Sequence, residues 1–104
     1  MLLEIRRYEI LSGRRDEFAE WFDTEVLPEM GEAGMRIIGQ FVSLDNPDAF
    51  FYLRAFSDEK ERTVQIERLY GGEKRQNELV GYARELETSF DVETVTPTAR
   101  SQLH

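Results

Sequence analysis

The first ten residues alternate in character. In Leu2-Leu3-Glu4-Ile5-Arg6-Arg7-Tyr8-Glu9-Ile10, Leu3 and Ile5 fall on one side and Glu4, Arg6 and Tyr8 on the other, the two-residue period of a β-strand. Ser12-Gly13 then reads as a turn, with Ser12 placed to cap a helix. Phe18, Trp21, Phe22, Glu25 and Val26 recur at helical spacing, and Leu27-Pro28 is expected to end or bend that helix. Gly31 and Gly34 mark a loop. Residues 35–44 predict a second strand, Asp45-Asn46-Pro47-Asp48 a turn, and residues 49–56 a third strand. That third strand is apolar on both sides. Phe51, Leu53 and Ala55 lie on one; Phe50, Tyr52 and Phe56 lie on the other, with Arg54 among them, so both of its faces are expected to be covered.

Asp58 and Glu61 have the spacing of a capping box and open a helix that runs to about Tyr70, where Gly71-Gly72 breaks it. Gln76, Leu79, Val80, Ala83 and Leu86 give a further helix its buried face. Residues 87–96 alternate again, with Thr88, Phe90 and Val92 opposed to Glu87, Ser89, Asp91 and Glu93, until Pro97 stops the strand. The order strand, helix, strand, strand, helix, helix, strand predicts an α+β chain. It is a ferredoxin-like split βαβ arrangement, with helices on one face of an antiparallel four-stranded sheet. Residues 1–97 form the single domain, and residues 98–104 a patternless tail. The bare sheet face is expected to carry Tyr8, Phe50, Tyr52 and Phe56. Such a patch is too apolar for water, so a homodimer paired sheet to sheet is expected.

Composition narrows the function. The formal net charge of the 104 residues is −8, which disfavours nucleic acid and anionic membranes. No apolar run approaches the ~20 residues of a membrane span. The chain enters a charged strand at once, so no secretory leader is expected. Cysteine is absent, which removes thiol chemistry and fits a cytoplasmic location. The single histidine, His104, lies in the tail, which disfavours a Ser-His triad, a haem ligand or a zinc site. Neither a metal nor a cofactor is called for, and Gly71-Gly72 lacks the pattern of a phosphate loop.

Candidate chemistry centres on the polar side of the first strand. Arg6 could grip a carboxylate in bidentate fashion, Tyr8 could exchange a proton, and Glu4 could act as a base. Tyr52, Arg54 and Phe56 share that side and are candidate ligand contacts, with Arg54 holding an anionic or enolic oxygen. The competing expectation is structural: Glu4 pairs with Arg6, Arg54 pairs with Glu4 across the sheet or with an acid of the other subunit, and Tyr8 packs at a dimer seam. Trp21 and Phe22 read as core, and the acids Glu17, Glu20, Asp58, Glu59 and Glu61 as caps and a solvated face.

Taken together, Glu4-x-Arg6-x-Tyr8, Gly13, Leu27-Pro28, Gly34, Ile38-Gly39-x-Phe41, the aromatic strand ending at Phe56, and Glu61-Arg62 resemble the NIPSNAP family over about residues 2–97. The resemblance implies a dimeric α/β-barrel, formed by two ferredoxin-like subunits packed sheet to sheet. Arg62 matches a position where the family pattern carries Arg, which implies a structural role, holding the start of its helix to the first strand or to the neighbouring loop. The chain departs from the family pattern in lacking a Trp on the third strand and near residues 71–76. The wider superfamily includes cofactor-free monooxygenases, muconolactone-type isomerases and haem enzymes, while the family itself has no settled activity. The resemblance therefore implies a barrel cleft for a small, partly apolar molecule. The chemistry would be cofactor-independent oxygenation or isomerisation, with Tyr8 as acid/base, Arg6 and Arg54 on the oxyanion and Glu4 as their positioner. The alternative is a non-catalytic binding protein whose polar sheet face only fixes the dimer.

Overall fold

Strand β1 (Leu2–Ile10) lies inside the sheet, hydrogen-bonded on both sides. In the computed structural model, which describes residues 1–71 and 74–103 (74–77 by backbone alone), it is followed by α1 (Arg15–Trp21), a π-helical turn (Phe22–Val26), α2 (Leu27–Glu32), β2 (Arg36–Val42), β3 (Ala49–Phe56), α3 (Glu59–Tyr70), α4 (Lys74–Leu86) and β4 (Glu87–Val95). The predicted roles of Gly72, Gln76 and His104 lie outside the described residues. The sheet order is β2-β3-β1-β4, antiparallel throughout, as a split βαβ fold requires.

The first helical run differs from expectation, and the sequence gives the reason. Pro28 does not end it: α1, the π turn and α2 are continuous from Arg15 to Glu32. The buried residues of the run are Phe18, Phe22, Val26 and Met30, each four positions after the last. In an α-helix each such step overshoots a full turn by about 40°, so three steps would carry Met30 about 120° off the face. The wider π turn absorbs the drift: the Leu27 N–H donates to the Phe22 carbonyl, five residues back. Pro28, which has no N–H to give, follows directly. Arg14, not Ser12, holds the N-cap position. At the far end Met35 N–H donates to Met30 O and Gly34 N–H to Gly31 O, with Gly34 at φ +88°. This is a Schellman stop, which needs a left-handed residue, so Gly31 belongs to the helix and only Gly34 to its end. Asp58 caps α3 by accepting from the Glu61 N–H at 2.8 Å.

The sheet faces are the reverse of the sequence expectation. Tyr8, Phe50, Tyr52 and Phe56 are not on a bare face. They are buried beneath the helices and form the core with Phe18, Phe22, Met30 and Leu69. Phe22 packs on Phe50 and Tyr52 at 5.3 and 4.6 Å between ring centres, and Phe18 meets Phe50 edge-on at 5.2 Å. The open face carries the other set. Ile5 stands beside Leu53, Arg7 beside Phe51, and Phe51 beside Phe41, with Phe41 51% exposed. Gly39 lies under the Phe41 ring, where an added Cβ would come within 2.9 Å of Cζ. Beyond β4 the tail turns back, with Ser101 N–H donating to Thr98 O and Leu103 half-buried.

Candidate functional site

Glu4, Arg6, Tyr52 and Arg54 come together because β1 and β3 pair in register, Glu4 opposite Arg54 and Arg6 opposite Tyr52. Pairing across an antiparallel ladder puts opposed side chains on one face, here the helix-covered one. Glu4 is 1% exposed and is the hub of an ion cluster. Its Oε1 accepts from Arg54 Nε at 2.7 Å and from Arg6 Nη1 at 2.8 Å, and its Oε2 accepts from Arg62 Nε at 2.7 Å. Burial alone would push this carboxyl up. The charge of Arg54 and the hydrogen bonds from all three arginines outweigh it and hold Glu4 below the usual carboxylate range. Arg54 is itself buried, its Nη1 on Met35 Sδ and its guanidinium 5.8 Å from the Phe56 ring centre. Arg62 ties α3 to β1, and its second bond goes to Glu59.

Arg6 joins this cluster to a second group of side chains. Its Nε donates to the Tyr8 hydroxyl at 3.0 Å, and neither of its bonds uses Nη2. Burial draws its pKa down, but the Tyr52 and Tyr8 oxygens and Glu4 raise it above the ordinary value, so the guanidinium stays charged. Tyr8 and Tyr52 stack at 5.8 Å with their hydroxyls 3.5 Å apart. That separation is long for an O–H···O bond, and either hydroxyl can be its donor. Burial pushes the Tyr52 hydroxyl well above the ordinary phenol range.

Between the sheet and the helices lies a cavity of about 270 Å³. Arg6, Tyr8 and Tyr52 form its polar floor, and Phe22, Val26 and Met30 one apolar wall. Leu69 of α3 and Ala83 of α4 close the other side, and the exposed Tyr70 and Phe90 stand where it opens to solvent. Three of the six residues singled out from the sequence thus line one site. Glu4 does not reach it, and Arg54 and Phe56 lie outside its lining. The cavity is inside one chain, not in a cleft between two sheets. Trp21, read as core, lines it too.

Sequence reasoning missed Glu87. Simple alternation puts Glu87 on the side opposite Phe90. In the structure Glu9 pairs with Ser89, but Ile10 pairs with Glu87, so the ladder slips by one residue. A β-bulge re-aims the side chain beside it: Glu87 turns to the helix-covered face and joins the cavity lining with Arg6 and Arg84. No local pattern at residues 86–89 announces this slip.

A family model described as NIPSNAP matches residues 3–102. Among curated proteins none matches the sequence. The chain is similar in structure to a NIPSNAP domain protein from Burkholderia xenovorans (TM-score 0.87, 22% identity, 96% of this chain and 97% of that one). It is also similar to a NIPSNAP family protein of unknown function from Agrobacterium tumefaciens (TM-score 0.90, 22% identity, 100% and 94%). A Nitrosomonas europaea protein assigned as an antibiotic biosynthesis monooxygenase aligns at TM-score 0.70 with 13% identity, over 92% and 97% of the two chains. At these identities the structural likenesses show a shared fold alone.

Proposed function

The chain belongs to the NIPSNAP family, and from that premise we propose that it is a homodimeric protein whose sheet–helix cavity binds a small, largely apolar molecule bearing an anionic or enolic oxygen. The chemistry we propose for that molecule is cofactor-independent isomerisation or oxygenation. One observation carries the reading: a permanently charged Arg6, with Nη2 uncommitted among the described residues and Tyr8 beside it, forms the floor of a cavity walled largely by apolar side chains. A guanidinium in such surroundings binds an oxyanion more strongly than it would in water. Tyr8 supplies a second donor. Glu4 acts only by fixing Arg6, and Arg54 shares that structural role. The likeness of fold to the monooxygenase-assigned protein supports the class of chemistry.

Trp21 is the only tryptophan and lines the cavity, so its emission reports occupancy. With 2-naphthoate as probe, saturable quenching is expected, and Arg6→Lys should weaken binding by about tenfold, because a lysine cannot hold Glu4 and Tyr8 and still present a fixed third donor to the ligand. Unchanged emission, or equal affinity in Arg6→Lys, would remove the basis for this site.

The dimer part of the proposal rests on the open face, where Ile5, Phe41, Phe51 and Leu53 stand side by side as an apolar surface that the helices do not cover. A second copy packed sheet to sheet would cover it. In native mass spectrometry the protein is expected at twice its 12.2 kDa chain mass, and Leu53→Glu should shift it to the monomer. A wild-type monomer at micromolar concentration would sink this part.

A further inference from the structure

Two acidic groups, Glu29 and Glu87, line the cavity, the reading above uses neither, and a β-bulge brings Glu87 into the lining. Glu87 is the first residue of β4, and the one-residue slip between Glu9 and Ile10 turns it inward. Regular pairing would have set Thr88 opposite Ile10. Instead Thr88 is the extra residue, and its hydroxyl donates to the Glu9 carbonyl at 3.3 Å. The bulge thus exchanges a hydroxyl for a carboxylate at the cavity wall. Glu87 is half-buried, and among the described residues its carboxylate makes no hydrogen bond or ion pair. This contrasts with Glu4, which three arginines saturate. Burial raises the Glu87 carboxyl above its ordinary value, against the opposing pull of Arg6 and Arg84. It is therefore a better proton acceptor than a solvated carboxylate.

We propose that Glu87 is the proton acceptor of this cavity, taking a proton from the carbon beside the carbonyl of a small apolar ketone while Arg6 holds the enolate oxygen. The proposal rests on the cavity being a small-molecule site. The C–H bond breaks, and its electron pair becomes the C=C bond of the enolate. The carbonyl π pair moves to oxygen, and the proton goes to the Glu87 carboxylate. Return of the proton to the same carbon gives exchange with solvent, and return to a conjugated position gives isomerisation. Neither route needs an oxidant. Division of labour between the two glutamates follows from their surroundings. Glu4 is locked as an anion and cannot take up a proton at neutral pH, whereas Glu87 has no hydrogen-bond or ion-pair partner among the described residues and is destabilised as an anion by burial.

The test uses the whole protein and 2-tetralone, an aromatic ketone with exchangeable α-hydrogens. Trp21 quenching reports binding, and proton NMR in deuterated buffer reports exchange. Wild-type protein is expected to quench and to exchange the α-hydrogens faster than buffer. Glu87→Gln should still quench but exchange about a hundredfold more slowly, with Glu87→Asp in between. Glutamine keeps the volume and removes a charge that burial opposes, so the fold is expected to hold, which thermal unfolding checks. Quenching without accelerated exchange, or exchange as fast in Glu87→Gln as in wild type, overturns the role of Glu87 and leaves the binding site standing. Absence of quenching overturns the binding site and this proposal with it.

Discussion

Replacing Glu4 by glutamine is expected to cost about 3–5 kcal/mol of stability, the range for breaking a buried ion pair from one side. The hub position sets the sign and the size. One carboxylate accepts from Arg6, Arg54 and Arg62, which are 13%, 2% and 24% exposed at the side chain. Removing it leaves three cations facing one another with little water. Removing one of the three leaves Glu4 still paired with the other two, so Arg62→Ala, at the most exposed spoke, should cost far less, about 1 kcal/mol. Urea denaturation of the two variants against wild type checks the ratio. A Glu4→Gln loss no larger than that of Arg62→Ala would show that the cluster is not organised around the carboxylate. Acid should reproduce part of the effect. The folded-state pKa of Glu4 is depressed, so its contribution is present above the unfolded carboxyl value and is lost as pH falls through the folded one. The gap between wild type and Glu4→Gln is accordingly expected to close towards low pH.

That cluster also marks where sequence reading stops. Element order was legible because turn residues and alternation agree: β3 begins and ends at Ala49 and Phe56 as its pattern predicts. The identity of the covered face was not. Glu4, Arg6 and Arg54 look like a face that must meet water, and that inference holds only for charges without partners. Pairing of Glu4 with Arg6 or Arg54 was one of the two expectations, but choosing it needed the fold, since two of the three partners come from β3 and α3, 50 and 58 residues away from Glu4. With both sides of β3 largely apolar and charged residues on both sides of β1, hydropathy could not choose between them. Glu87 was hidden for a different reason: a one-residue slip reverses every assignment beyond it, and Thr88 gives no sign that it is the extra residue. The π turn has a local signal in the chain, one that the regular helical spacing read over residues 18–26 passed over. Phe18, Phe22, Val26 and Met30 keep a strict spacing of four, which a regular α-helix cannot hold on one face.

Phe22 gives the second large expected effect, because it belongs both to the core and to the cavity. It is 3% exposed, opens the π turn, and packs against Phe50 and Tyr52 while lining the site. Phe22→Ala removes a buried ring, which costs about 3–5 kcal/mol. Sites that can collapse sit at the low end of such ranges. Phe22 cannot collapse inward, since the space it vacates joins the existing cavity of about 270 Å³, and its backbone carbonyl is committed to the Leu27 N–H. The upper half of the range is therefore expected, measured by urea denaturation. Phe22→Leu, which refills most of the volume, should recover the greater part. A ligand that fills the enlarged cavity stabilises the folded state by mass action, so 2-tetralone should raise the melting temperature of Phe22→Ala more than that of wild type. Equal shifts in the two proteins would mean that Phe22 does not border the space the ligand occupies.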